Sequence, residues 1–376
     1  MNIILAVGIL LIIVSFATRK SKYAPLIGFA FVFLIMGFQS NVEGDYMSYM
    51  EDYNQMFSGG AAESRTFEDE PIFPFLFKFF SLFSPWWLFV IFISLFQTSI
   101  LIRLVEKYSP KQNQFIAAIL FFFTFNMMLL QMKAMRQAFA IELMVLAIME
   151  IDKATRMKAK SRIPWIAILV ATMAYFTHNS AALMFPFLLL FYIVKRHPEA
   201  LTHSGNSIIF PIIVTCAYLF LYVIKVTFLN QYLIGFAMLD EDFRLARYLG
   251  EEELENQFDI SWLIVMYDAV IVFLVAWSYK FADSKMRVFS WISIVAAFFD
   301  MLFFGIGSLV RMQMYFVVYN LVVYPHVAVH IRKKFGNIAV LVFIVFLLGY
   351  AIKTSYPWII GVDNGRFGTY QFVFCQ

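Results

Sequence analysis

Residues 1–23 read MNIILAVGILLIIVSFATRKSKY, an unbroken apolar run followed at once by Arg19, Lys20 and Lys22. The run shows no alternation of polar and apolar positions, so it reads as a helix in hydrocarbon and not as a barrel strand. It has no basic leader and no small-residue cleavage site, and is read as a retained span. The same unit, an apolar stretch closed by a short basic connection, recurs along the chain. Of 376 residues 62% are hydrophobic and only 14% are charged, with a mean hydropathy of +0.76. Soluble domains carry about a quarter charged residues. The pattern predicts spans near 2–17, 24–40, 86–102, 113–131, 137–150, 164–177, 180–194, 208–228, 260–279, 288–305, 312–330 and 337–353. This is an all-α polytopic membrane protein of roughly twelve transmembrane helices, with 1–376 forming one integral membrane domain.

The connections sort into two sets. The short ones at 18–23, 103–111, 151–162, 195–203, 280–287 and 332–334 hold 19 of the 29 Lys and Arg residues. Two longer loops, 41–70 and 229–259, carry eight acidic residues each, against one Arg in the first and two in the second. Short basic loops stay in the cytoplasm. The acidic loops, and both termini, are therefore expected to face outward. The net charge of +4 is accounted for by the basic loops and calls for no nucleic-acid partner. Cys216 and Cys375 lie far apart and suggest neither a disulfide framework nor a metal cluster. There is no Walker loop, no GxSxG, no HExxH and no CxxC pair. Asp240 and Asp242 form an Asp-x-Asp that reads as ordinary loop charge. No cofactor or metal is called for, and any chemistry belongs in the membrane or on its outer face.

Several cations break the charge pattern. In QMKAMRQAFAIEL (131–143), Lys133, Arg136 and Gln137 share one helical face at the outer end of two predicted spans. Seventeen residues separate Arg136 from Lys153, roughly 25 Å of helix, so Arg136 is expected to be recessed below a ~30 Å core's outer surface. YFTHNSAALMF (175–185) makes a second recessed point. Arg162 and Lys195 both sit in basic loops, so the chain must go out and back with about 24 Å per arm. The tip at His178, Asn179 and Ser180 then reaches a depth similar to Arg136. Asn179 or Ser180 is expected to cap the returning helix, whose positive end faces the same cavity. A guanidinium, an imidazole and a helix N-terminus together make an anion site. Arg311, followed by Gln313 and Tyr315, is a third outward cation; Arg244 and Arg247 form a fourth group in the second acidic loop, among acidic neighbours. Lys225 reads as a residue that snorkels to the surface. Glu142, Asp268 and Asp300 lie deep in predicted spans, either as proton or ion ligands or as partners of buried cations.

The first acidic loop holds SNVEGDYMSYMEDYNQMF, in which Asp45, Tyr49 and Tyr53 recur at i+4. This reads as an interfacial helix with an aromatic edge, a pattern that also suits sugar binding. EPIFPFLFKFFSLF (70–83) is apolar, short and proline-bearing, and suits a re-entrant or surface-lying piece inside the 41–85 region.

Taken in order, NVEGDYMSYMEDY, MRQAFAIELMVLA, FTHNSAALMFP and VRMQMYF resemble the EpsG-like branch of the bacterial Wzy-type polysaccharide polymerases. Each motif is loose by itself; their order and spacing carry the resemblance, from about residue 20 to 330. The resemblance implies a fold similar to polyprenyl-dependent (GT-C type) membrane glycosyltransferases. It implies a metal-free glycosyltransferase that joins undecaprenyl-pyrophosphate-linked oligosaccharide repeat units at the outer face of the cytoplasmic membrane. A chain-length regulator and a flippase are the implied partners. The residues it marks are Asp45 and Tyr49, Arg136 and Gln137, His178 and Ser180, and Arg311 with Tyr315. Lys133 is additional, and no acid accompanies the His-x-Ser tip. On this reading Arg136, with Lys133 and Arg311, meets the anionic leaving group, and His178 or Asp45 takes the acceptor proton. A ligase using the same carrier, or a lipid-linked oligosaccharide flippase or transporter, are the competing readings.

Overall fold

The computed structural model describes residues 3–40, 45–58, 70–124, 127–156, 164–197, 208–230, 232, 260–304, 311–360 and 371–372. Arg244, Arg247, Asp240 and Asp242 lie outside them. The described chain is helical apart from one short antiparallel pair, Gln39–Ser40 with Gln371–Phe372. That pairing returns the C-terminal segment to the end of the second helix, so both belong to the same face of the molecule.

The first two helices are Ile3–Thr18 (α1) and Ala24–Gly37 (α2), followed by Asp45–Phe57 (α3), Ile72–Ser81 (α4) and Trp86–Tyr108 (α5). Next come Phe115–Phe123 (α6), Met128–Lys133 (α7), Met135–Arg156 (α8), Trp165–Thr177 (α9) and Phe185–Arg196 (α10). Ile209–Ile224 (α11), Trp262–Ser278 (α12), Ser284–Phe303 (α13), Met314–Val317 (α14) and Asn320–Ile360 (α15) complete the set. Among the described residues six helical segments are long and apolar enough to cross a membrane: Trp86–Tyr108, Asn179–Arg196, Ile209–Leu229, Trp262–Phe281, Ser284–Phe303 and Asn320–Lys353. Ile3–Thr18, Ala24–Gly37, Ile72–Ser81 and Trp165–Thr177 are apolar but shorter. The predicted 113–131 span is interrupted, because its helix stops at Phe123 and resumes as α7. The predicted spans at 312–330 and 337–353 meet within α15 at Gly336, whose φ of 84° turns the chain where a side chain would be strained.

The helix α8 runs through the centre. From Met135 to Asp152 almost every side chain is buried, and 22 residues give it a length of roughly 33 Å. Its first turn carries Arg136 and Gln137, and its last turns carry Asp152, so one rigid element ties together the two ends of the bundle. Elsewhere α2 closes tightly on α6: a side chain added at Gly28 would lie 2.6 Å from the Ala118 methyl. Small residues permit such approaches where no hydrophobic effect drives helices together in lipid.

The acidic-loop end is held by rings. Tyr49, Tyr53, Phe73, Phe77, Trp86 and Phe89 interlock with centroid separations of 4.8–6.1 Å. Edge-to-face pairs of this kind add ~0.5–1.5 kcal/mol each beyond area burial. They clamp α3 and α4 onto the start of α5. Tyr53 Oη donates to the Ser84 carbonyl (2.8 Å), Tyr46 Oη to the Gln39 carbonyl (3.1 Å), and Trp86 Nε1 to Tyr46 Oη (3.0 Å). The i+4 tyrosine edge therefore packs inward, and Tyr49 and Tyr53 are buried instead of offering open faces. The segment after Glu70 is an amphipathic helix: Phe73 and Phe77 are buried, whereas Phe75 and Phe79 on the opposite side are exposed.

Candidate active site

A single carboxylate organises the acidic-loop end. Glu70 lies just ahead of α4, is 7% exposed, and reaches three groups from two other parts of the chain. Its Oε1 accepts from the Asn179 backbone N–H (2.8 Å) and lies 2.8 Å from His178 Nδ1. Its Oε2 lies 2.9 Å from Arg136 Nη1. Burial opposes its ionisation, but the hydrogen bonds from His178 and Asn179 and the charge of Arg136 outweigh it and hold the carboxyl below the usual range. An ionised carboxylate only accepts, so His178 Nδ1 carries a proton and donates it. In the neutral imidazole Nε2 is then the basic nitrogen.

The chain builds this arrangement from short pieces. α9 ends at Thr177, and His178 takes an extended conformation before the 3-10 helix Asn179–Met184 leads into α10. The expected side-chain cap by Asn179 or Ser180 is not formed. Glu70 accepts from Asn179 N–H instead, so the anion at this helix start comes from a distant segment. Ser180 Oγ donates to Tyr315 Oη (3.3 Å), joining the tip to α14.

A second pair lies beside the first. Asp45, the first residue of α3, accepts from Arg311 Nη1 at 2.7 Å. Both side chains are far more open than the Glu70 group, 42% for Arg311 and 40% for Asp45 against 16% for Arg136 and 24% for His178. Gln137 Nε2 donates to the Arg311 carbonyl (2.8 Å), which fixes that backbone to α8. Tyr49 lies between the two pairs, buried; burial pushes its phenol up to about 12, with Arg136 and Arg311 pulling down and Asp45 and Glu70 pushing up. It is neutral at physiological pH. Lys133, the last residue of α7, is buried just ahead of α8. The structure thus gathers Asp45, Tyr49, Arg136, Gln137, His178, Ser180, Arg311 and Tyr315 at one end of the bundle.

The chain matches the EpsG family over residues 22–371. It belongs to that family. EpsG proteins are Wzy-like polysaccharide polymerases. No curated protein and no solved structure matches the chain.

Glu70 is the residue of this EpsG-family site that the sequence does not single out. It is the last of eight acids in a loop, and the signal that sets it apart is its position directly against an apolar segment, where a carboxylate loses water. The acid missing beside His178 in sequence is present in space. Lys225 is a further correction. It is fully buried and donates to the Phe304 carbonyl at 3.1 Å, so it does not snorkel to a surface. Tyr218 Oη donates to Asp268 Oδ2 at 3.4 Å. Glu142, six residues along α8 from Arg136, is fully buried, with no hydrogen-bond partner for either oxygen among the described residues. No group of three or more His, Cys, Asp or Glu side chains suited to a metal occurs among those residues.

Proposed function

We propose that this chain joins undecaprenyl-pyrophosphate-linked oligosaccharide repeat units at the outer face of the bacterial cytoplasmic membrane and releases undecaprenyl pyrophosphate. Family membership supports a polysaccharide polymerase. The observation that carries the finer reading is Glu70, whose carboxylate orients His178 and pairs with Arg136.

In this reading His178 Nε2 takes the proton from an acceptor hydroxyl, whose oxygen forms the new bond to the donor's anomeric carbon. The bond from that carbon to the pyrophosphate oxygen breaks, and the electron pair leaves with the pyrophosphate. Glu70 keeps the imidazole in the required tautomer and stabilises the imidazolium that forms; a positioned base of this kind contributes roughly 10²–10⁴ in rate. Of the two proton acceptors expected from sequence His178 is favoured, because Glu70 holds its Nδ1–H at 2.8 Å and leaves Nε2 as the accepting nitrogen. Developing negative charge is met by Arg311, the more open guanidinium, with Arg136 behind it. The pyrophosphate would take Asp45's place on Arg311. Acidic loops facing outward fit a glycan side, and the basic loops a cytoplasmic side.

The test uses purified protein in detergent with synthetic lipid-linked repeat units, products being resolved as a ladder. The native chain is expected to build a ladder, and His178→Gln and Arg311→Gln to lose it. A well-folded native chain that builds none would turn the reading to a ligase or flippase. Ladders surviving both substitutions would keep the function and overturn the residue roles.

A further inference from the structure

At the opposite end of α8, Asp152 is 0% exposed and receives three lysines from three helices. Lys195 of α10 stands at 2.8 Å, Lys107 of α5 at 3.2 Å and Lys285 of α13 at 3.4 Å. Basic residues at this face follow from the positive-inside rule, but the rule does not ask three of them to converge on one carboxylate. Lys107 Nζ also donates to the Met149 carbonyl at 3.0 Å, and the Tyr108 ring lies beneath both Lys107 (5.2 Å) and Lys285 (5.9 Å).

Next to this hub an open cavity of about 690 Å³ lies between α5 and α8. Its rim carries Arg103, Lys107 and Lys153 together with Glu106 and Glu150, and its floor is Leu146 and Met149. Glu150 is taken up by Lys153 at 3.6 Å. Hub and cavity share Lys107, and together they set five cations against three carboxylates. Like charges this close repel, and a bound anion relieves that repulsion. The apolar floor selects among anions. Along α5 the residues Leu88, Phe92 and Leu95 are exposed, and with Ser99 they form a helical stripe that ends at Arg103. An acyl chain lying on that stripe delivers its headgroup to the cavity. A free phosphate has no use for it.

We propose that this cavity binds the headgroup of an anionic glycerophospholipid, its phosphate held by Arg103, Lys107 and Lys153. The site is independent of the transferase reading, since it lies at the other end of the bundle and needs no glycan.

The experiment follows thermal unfolding of the full chain in neutral detergent with added phosphatidylglycerol, phosphatidylcholine or inorganic phosphate. Phosphatidylglycerol is expected to raise the melting temperature and phosphatidylcholine to leave it unchanged. Each basic side chain contributes about 1 kcal/mol to such attraction, so Arg103→Gln with Lys153→Gln should weaken phosphatidylglycerol binding about 30-fold. Glu106→Lys removes a rim carboxylate and should enlarge the phosphatidylglycerol shift, an outcome that misfolding cannot mimic. A full shift in the double variant, or an unchanged one in Glu106→Lys, would overturn the site. An equal shift with inorganic phosphate would overturn the lipid as its occupant.

Discussion

Glu70→Gln is the sharpest perturbation of the site, because it changes charge while keeping shape. The amide oxygen can still accept from Asn179 N–H and His178 Nδ1, both of which reach Glu70 Oε1 at 2.8 Å. The amide nitrogen then replaces Oε2 and faces Arg136 Nη1, formerly 2.9 Å from a carboxylate oxygen, donor against donor. Breaking a buried ion pair from one side costs ~3–5 kcal/mol. The Arg136 and Glu70 side chains are 16% and 10% exposed, so some water reaches Arg136 and the cost belongs near the low end, about 2–3 kcal/mol. Catalysis should suffer separately. An imidazolium at His178 loses its counter-charge, and the polymerisation rate should drop about 10²–10³-fold, or about 2.7–4 kcal/mol of barrier. The assay is ladder formation from lipid-linked repeat units under saturating donor, with thermal unfolding as the control for fold. Because Glu70 acts through His178, kcat should fall far more than KM changes. Activity within about threefold of native, well below the effect of a general base, would refute the dyad.

Four further outcomes follow from the same geometry. Asp45→Asn removes a pair that is about two-fifths exposed on each side, so stability should change by less than about 1 kcal/mol. Arg311→Gln should instead abolish ladder formation, and titration with inorganic pyrophosphate should show weaker binding. Tyr53→Phe deletes the donor to Ser84 and should cost ~0.5–1.5 kcal/mol in denaturant unfolding while leaving polymerisation intact; a selective loss of activity would return that tyrosine to the glycan. Glu70 is held below its ordinary value of 4.5, so the unfolded chain takes up this proton first as pH falls. Its stabilising contribution is complete above about 4.5 and disappears as pH drops through the lower folded value. Unfolding measured from pH 7 to pH 3 should show this loss in the native chain and a flatter profile in Glu70→Gln.

Much of the architecture was legible because lipid imposes simple rules. Apolar runs closed by basic connections announce helices, and the short arms around His178 appear as a 13-residue α9 and a 12-residue α10. The anomalous cations were visible for the same reason, since a charge at a helix end without a topological purpose stands out against hydrocarbon. Arg136, His178 and Arg311 could be named without coordinates. The packing of Tyr49 and Tyr53 was less legible. An i+4 tyrosine edge looks the same in sequence whether it faces a sugar or the rings of Phe73, Phe77 and Phe89, and only the position of α4 separates the two.

From sequence alone come the membrane class, the helical content, the sorting of loops by charge and the family motifs, all properties of short windows. Tertiary structure alone decided the partners. Glu70 meets Arg136, 66 positions away, and His178, 108 positions away; Asp45 meets Arg311 across 266. Window-based reading follows hydrophobic period and local charge, and neither records which buried carboxylate reaches which cation. Desolvation makes that choice: a carboxylate carried out of water at the head of an apolar helix stays ionised where the fold brings it hydrogen-bond donors and a cation, here His178 and Asn179 on one oxygen and Arg136 beside the other.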